Sequence, residues 1–264
     1  MEPNFIELLW GTVVLRPYVF AFLAAFLSAG ITQMGLKRTL AFMACAYLIA
    51  FLSEYSSTRN GFPYGLYHYI EATRDRELWI SNVPFMDSLS YVFLSYFSIN
   101  TAIFFVAPLK RSGWEVRPVL THEIRRSKKV LFLSPLLFML LDVVIDPVAL
   151  QGSRWFLGQI YYYPDGGIHF GVPLSNYAGW YIVGFAITLA YRLMFSAFQG
   201  TKEPGGKDFP YRDMLCPVVY FSVFIFNLTV TLCIGEFLMW ACGMAIAGTI
   251  FYLFMRRVMS AAGF

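Results

Sequence analysis

Residues 129–150 read KVLFLSPLLFMLLDVVIDPVAL. A run of that length and apolarity crosses a hydrocarbon core of about 30 Å as a helix, which makes the chain a membrane protein. The same run carries two carboxylates, Asp142 and Asp146, near its end. Ionisable groups at that depth are expensive and persist when paired, wetted or used, so an intramembrane acid is a functional-site candidate. A spacing of four puts both on one helical face, about one turn apart. Carboxyls that close titrate as a pair, a proton donor beside a proton acceptor.

The rest of the chain repeats the apolar pattern. Its 264 residues are 58% hydrophobic and 14% charged, with a mean hydropathy of +0.58, where a soluble domain has about 25% charged residues. Apolar runs at about 14–36, 39–56, 83–108, 129–150, 175–198, 214–234 and 237–256 predict an all-α polytopic bundle of seven transmembrane helices, a single domain over 1–264.

Charge orders the loops. Fifteen of the 20 Lys and Arg residues fall on one side: Lys37 and Arg38, Lys110, Arg111, Arg117, Arg125, Arg126, Lys128 and Lys129, Arg192, Lys202, Lys207 and Arg212, and Arg256 and Arg257. Arg16, Arg59, Arg74, Arg76 and Arg154 fall on the other. The positive-inside rule then predicts a plasma-membrane protein with its N-terminus outside and its C-terminus cytoplasmic. The net charge of +4 reports that topology and argues against nucleic acid as a partner. Glu2 and Glu7 stand where a signal peptide has a positive region, so the first span is expected to be an uncleaved anchor. Cys45, Cys216, Cys233 and Cys242 lie in or at the ends of spans without CxxC spacing and read as buried apolar residues. His68, His122 and His169 form no cluster, which argues against a zinc or di-iron centre.

The polar residues that burial does not explain map to the outer half. They are Glu54 at the end of span two, the turn-rich segment from Gly61 to Tyr69, Asp87 at the start of span three, Asp142 and Asp146, the aromatic loop 151–174 with Trp155, Tyr161, Tyr162, Tyr163 and His169, Asn176 and Trp180 at the start of span five, and Glu236. A bundle can gather them around one cavity. Asp87 and Glu236 also suit a helix first turn, where negative charge meets the dipole favourably. Glu54, Asp142 and Asp146 sit near helix C-termini and need compensation by water, by an arginine such as Arg59 or Arg154, or by a retained proton. Asn100 and Asn227 read as helix–helix glue, and Arg16 as a side chain that snorkels to the interface. The outer aromatics suit a pocket that stabilises a cation.

Two stretches carry a resemblance. One is Glu54 followed by Gly61-Phe62-Pro63-Tyr64-Gly65-Leu66-Tyr67-His68-Tyr69; the other is Asp142-Val143-Val144-Ile145-Asp146-Pro147-Val148-Ala149, then Trp155, then Phe170-Gly171-Val172-Pro173-Leu174-Ser175-Asn176-Tyr177-Ala178-Gly179-Trp180. They resemble the CruF-type carotenoid hydratases, a family that includes the bisanhydrobacterioruberin hydratases. The resemblance runs through roughly residues 40–200, and departs from the family pattern at Trp155-Phe156-Leu157 and at Asp87-Ser88.

The resemblance implies cofactor-independent addition of water across the terminal double bond of an acyclic carotenoid, giving a tertiary alcohol. On that reading one of Asp142 and Asp146 donates the proton, while the other, or Glu54, holds the water. Asp87 joins the catalytic group, Tyr64, Trp155 and Trp180 face the cation, and Asn176 orients a carboxyl or the water. The partners implied are a carotenoid substrate and the bilayer, and the basic loop 109–128 leaves room for contact with other carotenoid enzymes. The rival readings are a membrane lycopene-type cyclase, which forms the same cation but closes a ring, and an ion or lipid transporter whose acids relay protons.

Overall fold

The computed structural model describes residues 3–197 and 209–263; Glu2, Lys202, Lys207 and the expected end of span five at 198 lie outside the described residues. The chain is mainly helical: α1 (Phe5–Leu15), α2 (Pro17–Met34), α3 (Leu36–Asn60), α4 (Phe85–Val106), the single turn α5 (His122–Arg125), α6 (Lys128–Leu150), α7 (Leu174–Ala197), α8 (Leu215–Cys233) and α9 (Phe237–Met259). Among the described residues six helices are long and apolar enough to cross a membrane: α2, α3, α4, α6, α8 with its preceding turn, and α9. These helices mark an integral membrane protein. The remaining expected span is α7, 24 residues long.

The first expected span, about 14–36, is two elements. Arg16 ends α1 and precedes Pro17, which opens α2 at the position where a missing N–H costs nothing. An Asn4–Glu7 capping box starts α1 and gives Glu7 its role.

The bundle is built around α4. Its apolar window is 78% buried, against 28% for α2, α3 and α9, so α4 is the hub and those three form the lipid-facing wall. Close helix contacts rest on small residues. A Cβ on Gly184 of α7 would lie 2.7 Å from Phe138 Cδ1 and 3.2 Å from Pro135 Cα on α6.

Strand pieces tie the loops. At one end of the bundle β1 (His68–Tyr69) pairs antiparallel with β6 (Tyr161–Tyr162), and β2 (Trp79–Ile80) with β3 (Val83–Pro84). At the other end β4 (Leu109–Ser112) pairs with β5 (Glu115–Pro118) and with β7 (Ala262–Gly263).

The Arg16 side chain corrects the expectation of snorkelling. It is buried, 3% exposed; Nε and Nη2 each donate to a Glu77 carboxylate oxygen at 3.1 Å, and Nη1 donates to the Leu157 carbonyl at 2.7 Å. One guanidinium thus joins the α1–α2 corner to both loops over the β1–β6 end. The Leu78 N–H donates to Thr12 Oγ1 nearby, at 2.8 Å.

Candidate active site

At the β1–β6 end the helices line a cavity with about 990 Å³ of atom-free space, part of it open to solvent. The eight residues to which the resemblance assigns a catalytic or substrate-binding role all line it: Glu54, Asp87, Asp142, Asp146, Tyr64, Trp155, Asn176 and Trp180. Among the described residues no Lys, Arg or His lines it. Its four carboxyls come from α3, α4 and α6 and form two groups.

The first group is Asp142 and Asp146, on one face of α6 just before Pro147, with Asn176 in the first turn of α7. Asn176 is 2% exposed, and its Nδ2 donates to Asp142 Oδ2 at 2.7 Å and to Asp146 Oδ2 at 2.9 Å. Tyr163 donates to Asp146 Oδ2 at 2.8 Å, and Tyr161 donates to Asp146 Oδ1. Asp142 Oδ1 is buried and has no hydrogen-bond partner among the described residues.

The second group is Glu54, one turn and a half before the end of α3, and Asp87, in the first turn of α4. Tyr69 links them: its hydroxyl donates to Asp87 Oδ2 and lies 3.2 Å from Glu54 Oε1. Ser88 donates to Glu54 Oε2. The Tyr67 hydroxyl is 3.3 Å from that of Tyr69.

The compensation these acids need therefore comes from hydroxyl and amide donors. It does not come from Arg59, which donates to Asn82 Oδ1 at 2.7 Å, nor from Arg154, which pairs with Glu236. The tyrosine donors arrive by strand alternation. The β1–β6 pairing sets His68 opposite Tyr162 and Tyr69 opposite Tyr161. Tyr67, Tyr69, Tyr161 and Tyr163 thus turn to the cavity, while His68 and Tyr162 turn to solvent. Burial pushes the phenols of Tyr67, Tyr69, Tyr161 and Tyr163 well above their ordinary value, which keeps them as donors. These hydroxyls were noted in the sequence only as aromatic load. The alternation in Tyr67-His68-Tyr69 and Tyr161-Tyr162-Tyr163 is the signal that puts them in one row facing the cavity.

The rest of the wall is aromatic. Trp180 stacks on Tyr91, with ring centroids 4.4 Å apart and planes 19° apart, and lies 4.6 Å from Phe138. Tyr64 is buried, with its hydroxyl 2.8 Å from Ser53 Oγ. Trp155 donates through Nε1 to the Val148 carbonyl at 3.1 Å, which holds its ring against Phe156 and Phe226.

Several expected members lie elsewhere. Glu236 is the N-cap of α9 and pairs with Arg154 away from the cavity. His169 hydrogen-bonds Tyr177 outside it. Asn227 does line the cavity, whereas Asn100 does not; they donate to the Val223 and Tyr96 carbonyls of their own helices, each at 2.9 Å, and so do not bridge helices through those bonds. Of the cysteines Cys216 is buried, while Cys45, Cys233 and Cys242 are exposed on the helix surface. Among the described residues no group of three or more His, Cys, Asp and Glu is arranged to hold a metal ion.

The wall can therefore hold protons on carboxyls, aim them with neutral donors, and face a cation with π-electrons. The chain is 29% identical over 196 residues to the bisanhydrobacterioruberin hydratase of Haloarcula japonica, a match covering 74% of this chain and 55% of that protein, so the chain spans about half the length of that curated relative. No solved structure matches the chain. The model of the family described as "carotenoid biosynthesis protein" matches residues 9–250, nearly the whole chain, and the chain belongs to that family.

Proposed function

We propose that this protein is a carotenoid hydratase, which adds water across the terminal carbon–carbon double bond of an acyclic carotenoid end without a cofactor. The observation that carries this reading is the cavity wall. It combines two carboxyl groupings, each fitted with hydroxyl or amide donors, with a stacked aromatic face and, among the described residues, no basic side chain. The family match and the hydratase relative support it.

Hydration of a trisubstituted alkene needs a proton for the less substituted carbon, a surface that tolerates the tertiary cation, and a base that aims and deprotonates water. The Asp142–Asp146 pair supplies the proton, and Glu54 with Asp87 stands ready to hold the water. Trp180, Tyr64 and Trp155 face the cation, an interaction worth about 2 kcal/mol or more when desolvated. Asn176 orients the aspartate pair. Positioned acids and bases contribute typically ~10²–10⁴-fold. The polyene tail lies between helices in the bilayer while its end occupies the cavity.

The same reading has α2, α3, α4, α6, α7, α8 and α9 as seven spans of one domain. The N-terminus and the cavity face outward, in the outer leaflet of the plasma membrane, and the basic loops face the cytoplasm. The direct experiment is expression in cells that accumulate an acyclic carotenoid, followed by pigment chromatography. A more polar pigment, heavier by one water, is expected. A cyclised pigment of unchanged mass, or no new pigment, would reject the reading.

A further inference from the structure

We propose that Asp142 is the proton donor and Asp87 the acceptor of the proton that water loses, a division of labour that rests on the hydratase reading above. The assignment comes from counting donors. Asp146 receives three: Tyr161 at Oδ1, and Tyr163 and Asn176 at Oδ2. Asp142 receives one, from Asn176 at Oδ2, and its Oδ1 is fully buried with none. A carboxylate oxygen stripped of both water and donors is costly, and a neutral carboxyl O–H is far less so. The proton of the pair therefore resides on Asp142 Oδ1, and Asp146 is the anion that three donors satisfy. Asp142 lines the cavity, and rotation of its carboxyl brings this O–H, which has no acceptor of its own, to the π-electrons of an alkene.

The second group divides in the same way. Tyr69 has one hydroxyl proton but two carboxyl neighbours, Glu54 Oε1 at 3.2 Å and Asp87 Oδ2 in the shorter contact. The Tyr69 proton goes to Asp87, and the Glu54 contact then requires a proton that Glu54 itself supplies. Glu54 is thus the neutral member, with Ser88 donating to its other oxygen, and Asp87 the anionic one. Asp87 is half-buried in the cavity wall, and its second oxygen meets no protein donor among the described residues.

The step balances. The alkene π-pair takes the proton from Asp142 Oδ1 to form a C–H bond at the less substituted carbon and leaves a tertiary cation. A water oxygen forms the C–O bond, and Asp87 takes one water proton. Between turnovers Asp87 gives that proton to water and Asp142 takes one back, so no net proton is consumed. Asp146 and Glu54 act as positioning residues.

The test uses the full chain in lipid vesicles loaded with lycopene, suspended in D2O. Hydration is expected to fall at least ~100-fold in Asp142→Asn, Asp142→Ala and Asp87→Asn. The isotope pattern separates the roles. With Asp87→Asn or Tyr69→Phe the cation still forms but is poorly trapped, so deuterium appears in recovered lycopene at the terminal double bond. With Asp142→Asn or Asp142→Ala no deuterium enters. Hydration retained by the Asp142 variants, exchange in them, or an Asp87→Asn protein without exchange would overturn the assignment while leaving the hydratase reading intact. A wild-type chain that neither hydrates nor exchanges lycopene would end both.

Discussion

Asp146 accepts more hydrogen bonds than any other carboxyl lining the cavity among the described residues, and that fixes what its removal does. Asparagine keeps the shape but cannot accept from Tyr161, Tyr163 and Asn176 as a charged group does. Asp146→Asn is expected to lower turnover at least ~100-fold while the folded protein still elutes as a single species in detergent. Tyr163→Phe removes one of the three donors, a charge-assisted bond worth about 1.5–3 kcal/mol, and is expected to cost roughly tenfold to a hundredfold in rate. Steady-state assays on the two variants side by side check the ranking. At this scale the sequence was informative about acids and nearly silent about their partners. Acids in apolar helices advertise themselves, because burying a charge is costly wherever it sits. Tyrosine is ordinary at a membrane interface, so its hydroxyls became visible as donors only once β1 and β6 were paired. Ser88 had looked like a departure from the family pattern, and it is the donor to Glu54.

The elements hold this geometry through close contacts that leave little slack. A Cβ at Gly179, one turn into α7, would meet Tyr64 Cδ1 at 2.5 Å and the Pro63 carbonyl at 2.8 Å. Gly179→Ala must therefore push the 61–65 turn and Tyr64 away from Trp180. Overpacking of this kind costs about 1–3 kcal/mol, and the expected readout is a lower melting temperature together with reduced turnover. The Gly179-Trp180 pair of the sequence motif thus has a packing reason as well as an aromatic one. The Arg16–Glu77 pair is the second fixture. Breaking a buried ion pair by removing one partner costs about 3–5 kcal/mol, so Arg16→Ala is expected to destabilise the protein markedly in detergent, as read by thermal denaturation. Wild-type stability in that variant would show that the loops over the cavity do not depend on this corner. The sequence did not reveal the corner. Arg16 lies in an apolar run beside a proline, and only its distant partners, Glu77 and Leu157, distinguish a buried anchor from a snorkelling side chain.

At the scale of the whole molecule, hydropathy located the long helices because membrane spans must satisfy their backbone internally and bury an apolar surface all round. It did not separate α1 from α2, since both are apolar and the break is made by Arg16-Pro17. The convergence of Glu54, Asp87, Asp142, Asp146 and Asn176 followed from their shared end of the bundle, which alternation of spans makes readable. The proposed orientation has its own check. In a background with Cys45, Cys216, Cys233 and Cys242 replaced, Gly166→Cys is expected to react with an impermeant thiol reagent on intact cells, and Gly113→Cys only after permeabilisation. The reverse pattern would invert the topology. The reaction itself is tested most directly by the source of the new oxygen. Membranes holding the full chain and an acyclic carotenoid, incubated in water enriched in oxygen-18, should yield a pigment heavier by one labelled water in the wild type and none in Asp146→Asn. A product whose oxygen is unlabelled, or a pigment of unchanged mass, would contradict the account.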